Sequence, residues 1–232
     1  MHWKKIQLPL IILLLIGFLT SKQQIANTAS TNLHTLSTSA NRIEFELNST
    51  PATITDGRIT IDGIDSVLQQ AGAPMLPYYT AIVALPPLAD VSATLATANI
   101  SERVVANITP AATIVETIGR AEDLHITGLE ELTSESIPDA AIYGKDDFYP
   151  ANWYEISEPL QSRDLRYVIV KIFPARFNPV TKQLQQAESL RFALDFVGGS
   201  AEIAQPLALP AQQSLAKTML NPAQALQWGH MP

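Results

Sequence analysis

The chain has 232 residues, 47% hydrophobic and only 16% charged, with sixteen Pro, ten Gly and no Cys. That is enough apolar material for one buried core with appendages, and the low charge suits strands and turns better than surface helices. A net charge of −7 and an isoelectric point near 5.0 argue against a phosphate-binding surface, so nucleic acid is not an expected partner. Without cysteine there is no disulfide framework, no thiolate metal site and no thiol nucleophile.

At the N-terminus Lys4 and Lys5 precede LPLIILLLIGFL, a twelve-residue apolar run over 8–19, and a polar, small-residue stretch follows. The run is too short for a membrane span and fits the apolar centre of an export signal. Residues 1–26 are therefore read as a signal peptide, which touches the membrane only in transit, and the protein as secreted or in the cell envelope. Its removal would take away Lys4, Lys5 and Lys22 and no acid, leaving a charge of −10. Residues 27–41, NTASTNLHTLSTSAN, have no apolar period and are read as a Ser/Thr-rich linker.

Order is expected from Arg42. In RIEFEL, Ile43, Phe45 and Leu47 alternate with charged residues, as in a half-buried strand. ITDGRITIDGID follows with Asp56-Gly57 and Asp62-Gly63, both hairpin signals. GAPMLPYYTAIVALPP, residues 72–87, reads as an extended approach, a short buried strand and a proline stop. VSATLATANI and ERVVANI are expected as two strands, and ATIVETI as another. IYGKDDFYPANWYEIS gathers Tyr143, Tyr149, Trp153 and Tyr154 around a charged turn. RYVIVKIF suits a strand covered on both faces. FPARFNPVTKQL then reverses the chain into LRFALDF, with Leu190, Phe192, Leu194 and Phe196 on one face. Residues 201–232, rich in Ala, Gln, Leu and Pro, read as a connector carrying at most one short helix. About ten short strands at this spacing predict an all-β antiparallel sandwich of jelly-roll type over 42–200. A closed barrel is the alternative.

Catalytic and metal constellations do not emerge. His2, His34, His125 and His230 share no ligand spacing, and there is no G-x-S-x-G elbow. The acid pairs Glu122-Asp123, Glu130-Glu131 and Asp146-Asp147 read as solvated turns, and Asp56, Asp62 and Asp65 as hairpin residues without calcium spacing. No metal or cofactor is expected. IYGKDDFYP has two readings: rings packed over the end of the sandwich, or a contact surface on which Lys145 projects between Gly144 and Asp146.

Taken together, GAPMLPYYTAIVALPP, IYGKDDFYP and RDLRYVIVKIFPARFNPVTKQL followed by LRFALDF resemble the N-terminal prodomain of gingipain-type secreted cysteine peptidases. The matching positions are Gly72, Pro74, Leu76, Pro77, Pro86, Pro87, Tyr149, Pro150, Arg166, Pro174, Asn178, Pro179 and Leu184. The resemblance implies a β-sandwich propeptide that assists folding and holds a cysteine peptidase latent, in cis or in trans, by laying a loop over its cleft. The peptidase domain itself does not follow here, so the chain is expected to be a truncated precursor or a free-standing prodomain-like protein, and not an enzyme. The expected contact loop is Lys145, Asp146, Tyr149 and Pro150, with Arg120 as the second cation. Gly72, Pro74, Pro77, Arg166, Pro174, Asn178 and Pro179 are expected to be structural. A cell-envelope adhesion or carbohydrate-binding module, with Trp153, Tyr154 and Tyr149 as a sugar platform, is the alternative function.

Overall fold

The computed structural model describes residues 32–117 and 131–230. In chain order the strands are β1 (Leu33–Thr38), β2 (Arg42–Asn48), β3 (Thr53–Thr55), β4 (Arg58–Thr60), β5 (Ser66–Val67), β6 (Pro77–Ala84), β7 (Asp90–Val104), β8 (Thr113–Thr117) and β9 (Glu131–Glu135). A one-turn helix α1 (Ala140–Tyr143) leads to β10 (Tyr154–Ile156), β11 (Leu160–Ser162), β12 (Leu165–Ile172), β13 (Ala175–Asn178) and β14 (Gln183–Val197). Two short helices close the chain, α2 (Pro210–Ala216) and α3 (Pro222–Ala225). Residues 1–26, read above as a signal peptide, Arg120, His125 and the acids of 122–130 lie outside the described residues.

The architecture is an all-β antiparallel sandwich. One sheet runs β1-β2-β14-β13, with β7 paired along the whole of β14, and the other runs β10-β12-β6-β5, with β11 paired to β12. Alternation explains the packing, because one side of each strand must leave water. Ile43, Phe45 and Leu47 of β2 and Leu190, Phe192 and Leu194 of β14 are almost fully buried. They meet Val83 of β6 and Val168, Val170 and Ile172 of β12 in one cluster. Phe45 and Phe192 stack with centroids 5.4 Å apart, and Tyr154 sets its edge on Phe192 at 5.5 Å.

A second cluster joins Ile59, Ile61, Ile64, Leu76 and Ile108 to Ala175, Phe177 and Leu184. β14 serves both clusters. Its pairing with β7 shifts register between Ala187 and Ser189, and this one-residue bulge at Glu188 turns Leu184 to the face opposite Leu190. The hairpin β3–β4 turns at Asp56-Gly57, both at positive φ (50° and 72°), as its sequence predicts. At the second Asp-Gly pair only Gly63 has positive φ, and the turn is a single bridge between Ile61 and Ile64.

Four expectations are corrected. The segment read as linker contains β1, an edge strand that buries only Leu33 and so shows no apolar period, yet its backbone is paired to β2. VSATLATANI and ERVVANI form one fifteen-residue strand, β7, because an extra residue at Ala96 is absorbed as a bulge between Leu95 and Thr97. β12 is deeply buried on one face only; Lys171 is exposed and Ile169 half-buried.

The fourth concerns the segment read as connector, which is part of the core. Leu207, Ala216, Met219, Ala225 and Trp228 join the first cluster, and Trp228 meets Phe196 edge-on at 5.7 Å. Asn221 lies alongside β6: its Oδ1 accepts from the Ala84 N–H at 2.9 Å and its Nδ2 donates to the Ala84 carbonyl at 3.0 Å. The Leu220 N–H reaches the Ile82 carbonyl at 2.9 Å, and Thr35 of β1 donates to the Leu220 carbonyl. The segment thus bridges the open edges of the two sheets, and paired bonds between Gln205 and Gly229 close it into a loop.

Candidate interaction site

The charged aromatic turn is built outward from α1. Asp139 caps that helix, its Oδ1 accepting from the Ala141 N–H at 2.8 Å. Asp139 is itself fixed, because its N–H donates to the carbonyl of Gly72 at 2.9 Å. Gly72 sits at φ 73°, and a Cβ there would lie 2.8 Å from the Asp139 nitrogen, so only glycine fits without displacement. The approach GAPMLP is held in turn by bridges Ala71–Ala111 and Pro74–Pro110, with Leu76 fully buried and Pro77 opening β6. Gly72 thus meets the residue that caps α1, while Pro74 bridges to Pro110 and Pro77 opens β6.

Gly144 ends α1, and Lys145 follows, exposed, its N–H on the Ile142 carbonyl at 3.3 Å. The residues after Lys145 are fastened to β13. Asn178 donates from Nδ2 to Asp146 Oδ1 at 2.8 Å. Its Oδ1 meanwhile accepts from the N–H groups of Val180 and Thr181 at 3.0 and 3.2 Å, forming the turn before β14. Tyr149 and Phe177 exchange backbone hydrogen bonds of 2.9 and 2.8 Å, and the Tyr149 hydroxyl donates to Gln70 at 3.1 Å. The Tyr149–Pro150 peptide is cis. The Arg176 guanidinium lies over Phe148 at 5.3 Å and Trp153 at 4.8 Å. Burial lowers the Arg176 pKa, opposed by Asp147, and raises that of Tyr149, with Glu155 adding to the rise.

The sequence reads FPARFNPVTKQL as the corner that reverses the chain into β14. The structure ties that corner to the charged aromatic turn: Asn178 both makes the corner and holds Asp146, 32 residues away. Arg176, which sequence reasoning passed over, is the second fastening. Pro174 and Pro179 are buried beside it, and the Pro174 carbonyl accepts from Ala187. Arg166 stands apart on β12, 3.6 Å from Asp90.

Arg120 belongs to the connection between β8 and β9, a two-stranded ribbon that pairs with no other strand among the described residues. The sugar platform is not formed. Trp153 is 9% exposed within the first cluster, and the Tyr154 hydroxyl is spent on the Ala93 carbonyl at 2.8 Å. Among the described residues no three His, Cys, Asp or Glu side chains gather as metal ligands, and no helix is long and apolar enough to cross a membrane.

The architecture is that of an all-β antiparallel sandwich with a charged aromatic turn fastened to β13. Its kinship is specific: the Propeptide_C25 family model matches residues 23–208, and the chain belongs to that family of gingipain-type propeptides. No curated protein matches the chain. Among solved structures, the complex of Porphyromonas gingivalis RgpB pro- and mature domains shares the fold at a TM-score of 0.60 and 16% identity, covering 82% of this chain and 98% of that one. The chain in a study of the zymogenic latency of gingipain K from Porphyromonas gingivalis matches at 0.50 and 15% identity, covering 72% and 92%.

Proposed function

We propose that this domain keeps a gingipain-type cysteine peptidase latent and assists its folding, acting as an inhibitor and not as a catalyst. The observation that carries the reading is an exposed cation, Lys145, on a turn whose following residues are fastened to the sandwich by Asn178, Arg176 and the Tyr149–Phe177 bridge. A peptidase that cleaves after basic residues needs an acidic specificity pocket, and a rigid loop cation enters it without losing much conformational entropy on binding. Arg120 is the second candidate, lying in sequence between β8 and β9, which among the described residues pair with each other and with no other strand. The N-terminal apolar run supports export, to meet such a peptidase outside the cytoplasm.

The test is titration of a family peptidase with the wild-type protein, Lys145→Ala and Arg120→Ala. Truncating one partner of a desolvated charge pair costs about 2–5 kcal/mol, so the variant lacking the operative cation weakens inhibition by at least about thirtyfold. Equal inhibition constants for wild type and Lys145→Ala remove Lys145 from the role. No inhibition by wild type removes the latency reading.

A further inference from the structure

The edges of the two sheets are finished differently. The C-terminal segment lies along β6 and reaches β1, through Leu220, Asn221 and Thr35. β13 is met by the backbone of Tyr149, and β5, β10 and β11 are no longer than three residues. β7 is the exception. It runs for fifteen residues and, among the described residues, pairs with β14 alone, so its outer backbone edge is open. Such an edge is roughly 50 Å long, and it is a template for another strand unless charge, proline or shortness blunts it. Residues 91–101, VSATLATANIS, hold no charge and no proline, although the protein carries −7 overall.

The bulge at Ala96 decides which strand fits. Ala93 and Leu95 share the core face with Leu194 and Phe192, and beyond the bulge Ala98 and Ile100 share it with Leu190 and Ala187. The inward alternation therefore passes from odd to even positions at Ala96. Opposed residues of an antiparallel pair lie on the same face. Two copies of β7 related by a two-fold axis between Ala96 and Thr97 meet that condition on both sides of the axis, because each copy brings the same bulge to the centre. In this register Thr94 of one protomer lies opposite Asn99 of its partner, Leu95 opposite Ala98, Ala93 opposite Ile100, and Asp90 opposite Arg103.

Charge and burial agree with that register. Each end sets an acid against a base, and no two like charges are opposed. Asp90, whose side chain is 83% exposed, also meets Arg166 at 3.6 Å, and Arg103 gives one N–H to the Ala52 carbonyl. A carboxylate has further lone pairs and a guanidinium further donors, so both can serve a second partner. Ala93 and Leu95 are half-buried and Ile100 is 39% exposed, and the pairing gives each an apolar neighbour. We propose that β7 is a self-association edge through which a second copy of this chain pairs, antiparallel and two-fold symmetric, joining two five-stranded sheets into one. This does not depend on the latency reading.

The test combines sedimentation over a concentration series, for wild type and Thr97→Lys, with disulfide capture, for which a chain without cysteine is a clean background. Wild type is expected to form a dimer. Thr97→Lys sets two ammonium groups beside the axis and is expected to raise the dissociation constant at least tenfold without lowering the melting temperature. Opposed Cα atoms stand about 4.5–5.5 Å apart, within disulfide reach. Under mild oxidation an equal mixture of Thr94→Cys and Asn99→Cys is therefore expected to yield a cross-linked dimer, and neither variant alone to do so, since like positions are not opposed. A wild type that stays monomeric at millimolar concentration overturns the proposal. So does a dimer that Thr97→Lys leaves intact, or a mixture that cross-links no better than the single variants. Amides of β7 that gain protection from hydrogen exchange only on addition of a family peptidase give the edge to that partner, and overturn self-pairing.

Discussion

Replacing Asn221 with Ala isolates the contribution of the C-terminal segment. The amide is 1% exposed and makes two hydrogen bonds to the backbone of Ala84, a residue with no exposed surface. It also begins α3 without a side-chain hydrogen bond to that helix, its amide being turned to β6 instead. Truncation leaves one N–H and one C=O of a buried strand without partners. Each orphaned group costs about 1–3 kcal/mol, giving about 2–6 kcal/mol, a large fraction of the roughly 5–15 kcal/mol that stabilises a typical domain. Urea unfolding followed by the fluorescence of buried Trp153 and Trp228 reads the change as a shifted midpoint with unchanged slope. Asn221→Asp adds a sign test. Its carboxylate would face the Ala84 carbonyl, which holds the folded-state pKa above the unfolded one, so its deficit relative to wild type shrinks as the pH falls and the acid regains a donor. A loss below about 0.5 kcal/mol for Asn221→Ala, within the range of ordinary surface substitutions, refutes the claim that this side chain completes the edge of β6.

Three further outcomes are expected. Trp228→Ala removes a ring 6% exposed against Phe196 and lowers stability by about 3–5 kcal/mol in the same urea assay. Gly72→Ala forces a Cβ at φ 73° against Asp139 and is expected to cost more than about 1 kcal/mol; amide hydrogen exchange of α1 should quicken. Burial pushes Tyr143 up to about 12 from 10.0, its hydroxyl held on the Ile108 carbonyl at 2.7 Å. The folded state keeps that proton longer than the unfolded state, so its contribution is complete below pH 10.0 and is lost as the pH rises through about 12. Tyr143→Phe should flatten the alkaline part of the stability profile.

How much of this was legible in the sequence depended on whether a segment buries one regular face. β2 and the C-terminal half of β14 do, so Ile43, Phe45 and Leu47 and the series Leu190 to Phe196 are read at sight. Asp56-Gly57 states its own turn because both positions need positive φ. β1 was missed because five of its six residues face water, and only pairing with β2 makes it a strand. The C-terminal segment was missed because Ala216, Met219, Ala225 and Trp228 fill gaps between two sheet edges at no fixed period. The turn of 142–150 was legible as aromatic and charged, but its fastening was not. The hydrogen bond between Asn178 and Asp146 and the position of Arg176 between two rings depend on where two distant hairpins meet, which no local pattern encodes.

The bulge at Glu188 has a mechanical consequence. Because one strand supplies Leu190, Phe192 and Leu194 to one cluster and Leu184 to the other, neither cluster can slip by a residue without turning the other's side chains toward water. The two clusters should therefore melt together in one calorimetric transition.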